Sequence, residues 1–482
     1  MAVLQSADAA SEALPLRDDA GESRPSRRRE ARGPWVVAAL AGALYIGFAI
    51  SQWQRYVSLS WDLGIFTQLA RQYAHLQPPI VTIKGEGFNL LGDHFHPLLA
   101  VLGPVYALFP SAVTLLVAQG LLLAGSVLVI AREAARRLEP AAGVAVGGAY
   151  AVSFGVVGAM SVQFHEIAFA MPLLALSLVA LLRRQWLACA LWAAPLVLVK
   201  EDLGLTVAML GAVLAWRSRR GLGLALMAWG LGWFALTTYV LIPALSTRDQ
   251  WDYGSKIDVG AFAAQPWLAA VALVDDRDKI ATLLMLVAIT GLIGLRSPIL
   301  LVAAPTIAWR FLADNEGYWT HTWHYSAVLM PIAFAALLDG IRGARVSPRR
   351  WLRRYSAMAV PVAATVAVML APQLALHQLS HADFYRASPR AADAEAVLEQ
   401  VPDDVVVETD VGLMSYLVDD RSVYFVGAQG NPAPDYLLID EQGGGWNPAP
   451  DDAAVYAEQL HPGVDYRLVH DQGGFQLAER TR

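Results

Sequence analysis

Charge is what this sequence is short of. Only 16% of its 482 residues are Asp, Glu, Lys or Arg, whereas 56% are hydrophobic; a soluble chain carries nearer a quarter charged residues. That shortage excludes a single water-soluble globule, and the repeated apolar runs of about 20 residues read as spanning helices. Cysteine is almost absent: Cys189 stands alone inside an apolar run, which excludes a disulfide framework. Residues 1–33 lack the apolar stretch of a cleavable signal peptide. They are expected to form a disordered cytoplasmic tail, with Arg27, Arg28, Arg29 and Arg32 anchoring the first helix. Heptads, fixed-period repeats and long low-complexity tracts are missing too, and nothing points to a nucleic-acid partner.

What is present is a series of apolar runs near 34–52, 111–131, 141–158, 167–182, 186–199, 203–216, 221–243, 280–295, 298–312, 326–341 and 356–376. The expected fold is mainly α: a polytopic membrane protein of about eleven transmembrane helices over 34–376. Arginine placement gives the orientation. With the N terminus cytoplasmic, the inner loops carry Arg132, Arg136 and Arg137, Arg183 and Arg184, Arg217 through Arg220, Arg296, and Arg342 through Arg354. All four lysines, Lys84, Lys200, Lys256 and Lys279, fall on the other side. This is the positive-inside pattern of a plasma-membrane protein.

The polar breaks then share one outer level. They are the first outer loop 53–110, His165-Glu166, Lys200-Glu201-Asp202 and 314–325 (DNEGYWTHTWHY). Ionisable residues that converge in this way are the pattern of a site. The two apolar runs flanking Lys200 have about 14 residues each, about 21 Å of helix against a hydrocarbon core of ~30 Å. The triplet therefore sits either in a polar cavity below the surface or, if the helices run longer, among the headgroups. Residues 62–76 place Leu63, Phe66, Leu69, Ala70 and Tyr73 on one helical face, as expected of a helix lying along the interface. Residues 96–110 are too short to span and are broken by Gly103-Pro104 and Pro110; they read as interfacial or re-entrant.

Composition changes at 377. Strands are expected at 405–409, 422–426 and 436–440, with a hairpin over 466–480 turning at Gly473-Gly474, and helices near 389–400 and 452–460. Residues 377–482 thus read as a small extracytoplasmic α/β domain. The Gly443-Gly444-Gly445 run opens no helix, so it reads as a loop rather than a phosphate cradle.

Asp62, at the start of its helix, reads either as a catalytic base held at fixed depth or as a plain helix cap. Asp93, His94 and His96 (GDHFHP) offer one oxygen and two nitrogen donors, suited to part of a site for a divalent cation such as Mn, Mg or Zn; without metal they could bind phosphate or pack on headgroups. His165, Glu166, Lys200, Glu201 and Asp202 are candidates for substrate binding, with Lys200 taking a phosphate, against a self-neutralised salt-bridge cluster. His321 and His324, among Trp319, Trp323 and Tyr325, suit sugar stacking or an aromatic belt.

The stretches SWDLGIFTQ (60–68), LGDHFHPLLAVLGPVYALFPSAVTLLVAQ (91–119), FHEIAFAMPLLALSL (164–178) and VKEDLGL (199–205) resemble, in this order, a family of multi-pass membrane proteins, domain of unknown function 2079. That family is similar in architecture to the GT-C glycosyltransferases, which move a sugar from a polyprenyl-phosphate carrier to an acceptor outside the membrane. The resemblance implies hexosyl or pentosyl transfer to a glycan, lipid or protein acceptor, with Asp62 in the place of the first-loop acid and Asp93 as the second candidate for catalysis. GT-C enzymes often pair two acids there, whereas Trp61 precedes Asp62 here. The rival readings are a transporter or flippase of a polar or lipid-linked substrate, using intramembrane acids as ion sites, and a catalytically silent scaffold.

Overall fold

The computed structural model describes residues 32–481 except 58, 59, 220, 248, 249, 252, 254 and 255, and leaves out the side chain of residue 60. The expected tail with Arg27, Arg28 and Arg29 lies outside the described residues. Helix forms at every predicted apolar run, but the expected eleven spans are not all of membrane length. Among the described residues five helices are long and apolar enough to cross a membrane: Gly33–Gln54, Ala112–Arg137, Gly221–Leu245, His324–Arg345 and Arg350–Gln373. A sixth span arises if Pro140–Ala151 and Phe154–Ser161, bent by 46°, count as one. Ile167–Leu182, Trp186–Leu198, Leu203–Ser218 and Pro298–Leu312 are shorter, and Arg277–Ile289 has 13 residues. Proline accounts for two of the interruptions. It sits in the first turn of the 3₁₀ segments Ala194–Leu198 and Pro298–Ala303, where it removes a helical donor.

Small residues let these helices approach closely. Gly204 and Gly211 on Leu203–Ser218 face Gly223 and Gly230 on Gly221–Leu236. A Cβ on Gly223 would lie 2.2 Å from Ala215 N, and one on Gly230 would lie 2.4 Å from Gly204 O. Backbone therefore meets backbone, the packing mode that serves where water supplies no drive between helices. Buried polar groups are tied across helices: Tyr45 Oη donates to Ala151 O at 2.8 Å, and Ser126 Oγ meets Tyr150 Oη at 2.6 Å.

The C-terminal segment forms a five-stranded sheet in the order β2-β1-β3-β5-β4, with β1 Val406–Thr409, β2 Ser422–Phe425, β3 Tyr436–Asp440, β4 Tyr466–Gln472 and β5 Phe475–Arg480. The first three strands are parallel; β5 pairs antiparallel with β3, and β4 pairs antiparallel with β5 at the edge. Alternation gives the sheet two apolar faces. Leu437, Ile439 and Ala478 pack beneath Ala453–Leu460. Val407, Val423, Leu438 and Leu477 share a core with Leu63, Leu69, Ile83 and Leu99 of the first loop. The Gly443–Gly445 turn is pinned by Asp440, whose Oδ1 accepts from Gly443 N at 2.8 Å.

That shared core corrects the interfacial reading of the first loop helix. Ser60–Ala74 is buried from Leu63 through Ala70, sandwiched between the long helices and the sheet. Its second face is used as well: Gln68 Nε2 donates to Val423 O at 2.9 Å, Arg71 Nη1 donates to Arg421 O at 3.0 Å, and Met414 packs against Gly64. Leu102–Leu108 crosses the same helix, with Gly103 against the Tyr73 backbone and Tyr106 Oη donating to Asp419 Oδ1 at 2.8 Å.

Candidate functional site

Where the short helices end, a cavity of about 660 Å³ opens. Segments far apart in the chain build it. The first turn of Ser60–Ala74 brings Trp61 and Asp62; the loop after it brings Lys84, Asp93, His94 and His96. The start of Ile167–Leu182 brings His165 and Glu166, and the turn between the two short helices brings Lys200, Glu201 and Asp202. Trp251, Tyr253, Lys256, Trp309, His324 and Tyr325 complete the wall. With Glu201 only 2% exposed, the triplet lies in the cavity rather than among headgroups.

Most of the charges are paired. Lys84 Nζ lies 3.0 Å from Asp93 Oδ2, His94 Nδ1 lies 2.7 Å from Glu201 Oε1, and Lys200 Nζ lies 2.9 Å from Glu166 Oε1. Phe95 N donates to Glu201 Oε2 at 3.1 Å, and His165 Nδ1 lies 2.8 Å from Glu166 Oε2. Burial disfavours charge on Asp93, His94, Glu166, Lys200 and Glu201, but the partner outweighs it. His94 and Lys84 hold Asp93 below the usual carboxylate range. His94 does the same for Glu201, and His165 and Lys200 hold Glu166 well below it. Glu201 in turn raises His94, and Glu166 raises Lys200.

Two carboxylates stand apart. Among the described residues no hydrogen-bond donor or cation pairs with Asp62, and Asp202 Oδ1 is buried without a partner. Asp62 keeps some exposure to the cavity, yet dense protein around it raises its pKa, which His165 only partly offsets. Burial pushes Asp202 up to about 6 against the pull of Lys200. His96 Nδ1 and both ring nitrogens of His324 are also buried and unpartnered among the described residues; burial pushes His96 down to about 4. Buried polar atoms left open in this way are where a ligand's own donors and acceptors would fit.

The proposed metal triad does not form. Asp93 turns to Lys84 and His94 to Glu201, and among the described residues no three His, Cys, Asp or Glu side chains are placed to hold a metal ion. Asp93 is helical (φ −94°, ψ −62°) at the end of a 3₁₀ turn, and His96 adopts φ −128°, ψ 51°, so this stretch is not the extended backbone on which side chains two apart share a face. His321 is also misplaced: it packs edge-on to Phe154 at 6.1 Å, away from the cavity lining. His324 does reach the cavity and stacks on His165 at 3.7 Å.

Sequence reasoning missed the segment after residue 245. Tyr253 stacks on His94 at 4.3 Å, and Lys256 sits 4.1 Å over the Tyr253 ring and donates to Tyr318 Oη at 3.0 Å. Lys256 meets no carboxylate among the described residues. Its signal was the gathering of all four lysines on one side, three of which line this cavity. Arg310 was missed as well. Fully buried in an apolar helix, it donates to Tyr318 O, Thr320 O, Tyr325 O and Ser326 Oγ at 2.8–3.3 Å, and so holds the loop that carries His324 and Tyr325.

The sequence profile described as "Predicted membrane protein (DUF2079)" matches residues 55–477. No curated protein matches the chain. Among solved structures the chain is similar to ArnT from Cupriavidus metallidurans bound to undecaprenyl phosphate, at 14% identity and a TM-score of 0.49, with 92% of this chain and 97% of that one covered. That likeness is too loose to speak for chemistry.

Proposed function

Since this chain belongs to the DUF2079 family of membrane proteins, we propose that its cavity transfers a sugar from a polyprenyl-phosphate donor to a glycan, lipid or protein acceptor, as a GT-C-type glycosyltransferase. The observation that carries this reading is the unpaired Asp62, opening onto a cavity whose other acids, apart from Asp202, are engaged by cations. In the reaction the acceptor hydroxyl attacks the anomeric carbon and its proton passes to Asp62. The bond from that carbon to the phosphate oxygen breaks, and the polyprenyl phosphate departs with the electron pair, inverting the centre. Lys256 and the two Lys200 protons not used by Glu166 receive the developing phosphate charge, while Trp61, Trp251 and Tyr253 offer faces for a sugar. No step here is routed through a divalent cation. On this reading the cavity faces outside, the N terminus is cytoplasmic and the membrane is the plasma membrane.

The transporter alternative asks for free ionisable groups that continue beyond the cavity towards the opposite face. Glu133, buried near the end of Ala112–Arg137, is instead held by Arg137 at 2.5 Å and Arg183 at 2.6 Å, a structural neutralisation. Asp62→Asn tests the assignment. With a labelled polyprenyl-phosphate sugar, transfer is expected to fall about 10²–10⁴-fold, while expression and the thermal transition persist. Transfer at the wild-type rate would remove Asp62 as the base.

A further inference from the structure

A second cavity, about 570 Å³, shares no lining residue with the first. One wall is the later half of Gly33–Gln54; the other is the chain from Leu379 to Ala387, which connects the last long helix to the sheet domain. Ala43, Leu44 and Gly47 form an apolar trough on the helix, and a Cβ on Gly47 would meet nothing within 4 Å. The walls are fixed to each other where Phe48 stacks on Phe384 at 5.4 Å and Ser51 Oγ donates to Phe384 O at 3.2 Å.

The far end of the trough is cationic, with Arg55 and Arg386 both lining it. Arg55 Nε is buried without a hydrogen-bond partner, and among the described residues no carboxylate pairs with its guanidinium. Among the described residues Arg386 pairs only with Asp383, at 3.2 Å, with side chains 72% and 83% exposed; such a pair holds weakly against water. Along the helix, Ala43 to Arg55 spans about 18 Å, close to the depth of one leaflet, about half of a 30 Å core plus the start of the headgroups.

We infer that this trough binds an anionic phospholipid of the surrounding leaflet, with an acyl chain along Ala43, Leu44 and Gly47 and the phosphate on Arg55 and Arg386. A guanidinium matches phosphate oxygens in pairs, and the ligand satisfies the stranded Nε donor. A soluble anion would leave the trough unused. Tyr385, 70% exposed beside the arginines, suits the headgroup level. The site is independent of the sugar-transfer reading.

Native mass spectrometry of the full detergent-purified chain, titrated with phosphatidylglycerol or phosphatidylcholine, tests this. Phosphatidylglycerol should be retained about tenfold more tightly, a difference of about 1.4 kcal/mol, and the double variant Arg55→Gln/Arg386→Gln should erase the preference. Gly47→Leu fills the trough without touching a charge or a packed neighbour, and should weaken retention in a chain of unchanged melting temperature. Arg277→Gln, at a side chain 93% exposed elsewhere, should change nothing. Equal retention of the two lipids, wild-type retention by the double variant or by Gly47→Leu, or an equal loss in Arg277→Gln would each overturn the assignment.

Discussion

Among the described residues, Asp62 and Asp202 differ from their neighbours in what they lack: a cation within ion-pair distance. For Asp202 this has a consequence for stability. Burial raises its carboxyl to about 6, above the unfolded value of about 3.9, so between those pH values the folded chain binds the proton and the unfolded chain does not. Stability then falls as pH rises through that window. Melting curves at pH 4 and pH 7 should show Asp202→Asn gaining on wild type at the higher pH; an identical difference at both would contradict the burial assigned to this group. The sequence pointed to the acids, Lys200 and His165, which line the cavity, but not to Lys84 or Lys256. Pairing was not legible there, since His94 and Glu201 are 107 positions apart, and His321 and His324 cannot be told apart by pattern.

At the scale of elements, apolar runs announced the helices but not their breaks. A hydropathy pattern counts residues and is blind to where the hydrogen-bond ladder stops, so 141–158 reads as one span although the helix turns by 46° near Ser153. The close pairing of Leu203–Ser218 with Gly221–Leu236 positions the Lys200-Glu201-Asp202 turn, because the first of these helices starts immediately after it. Gly223→Leu forces side-chain atoms into the Ala215 backbone and should cost about 1–3 kcal/mol, read as a lower melting temperature. Gly232→Leu on the same helix, where a Cβ meets nothing within 4 Å, should melt with the wild type; equal effects would refute backbone contact as the cause.

Across the whole molecule, the sheet domain and the first loop hold each other. Trp53 stacks on Tyr416 at 4.0 Å, Tyr416 Oη donates to Trp53 O at 2.8 Å, and Met414 is fully buried against Gly64. The helix that carries Asp62 is thus fixed by a domain more than 300 residues later. Met414→Asp places an unpaired charge in that core; it should destabilise the chain by about 3 kcal/mol or more and open the first loop to trypsin at Arg71. Val455→Asp, on an exposed position, should leave proteolysis unchanged, and a Met414→Asp chain as resistant as wild type would refute the shared core. Sequence by itself determined which stretches are apolar, where strands and helices alternate after 405, and which ionisable residues interrupt the apolar runs, because hydropathy, period and turn chemistry are local properties. Only the tertiary structure decided which acids are neutralised and which stay open, that Asp93 and His94 turn to Lys84 and Glu201 instead of joining His96, and that the first loop helix is buried on two faces, because each of these depends on contacts between segments that the chain brings together only on folding.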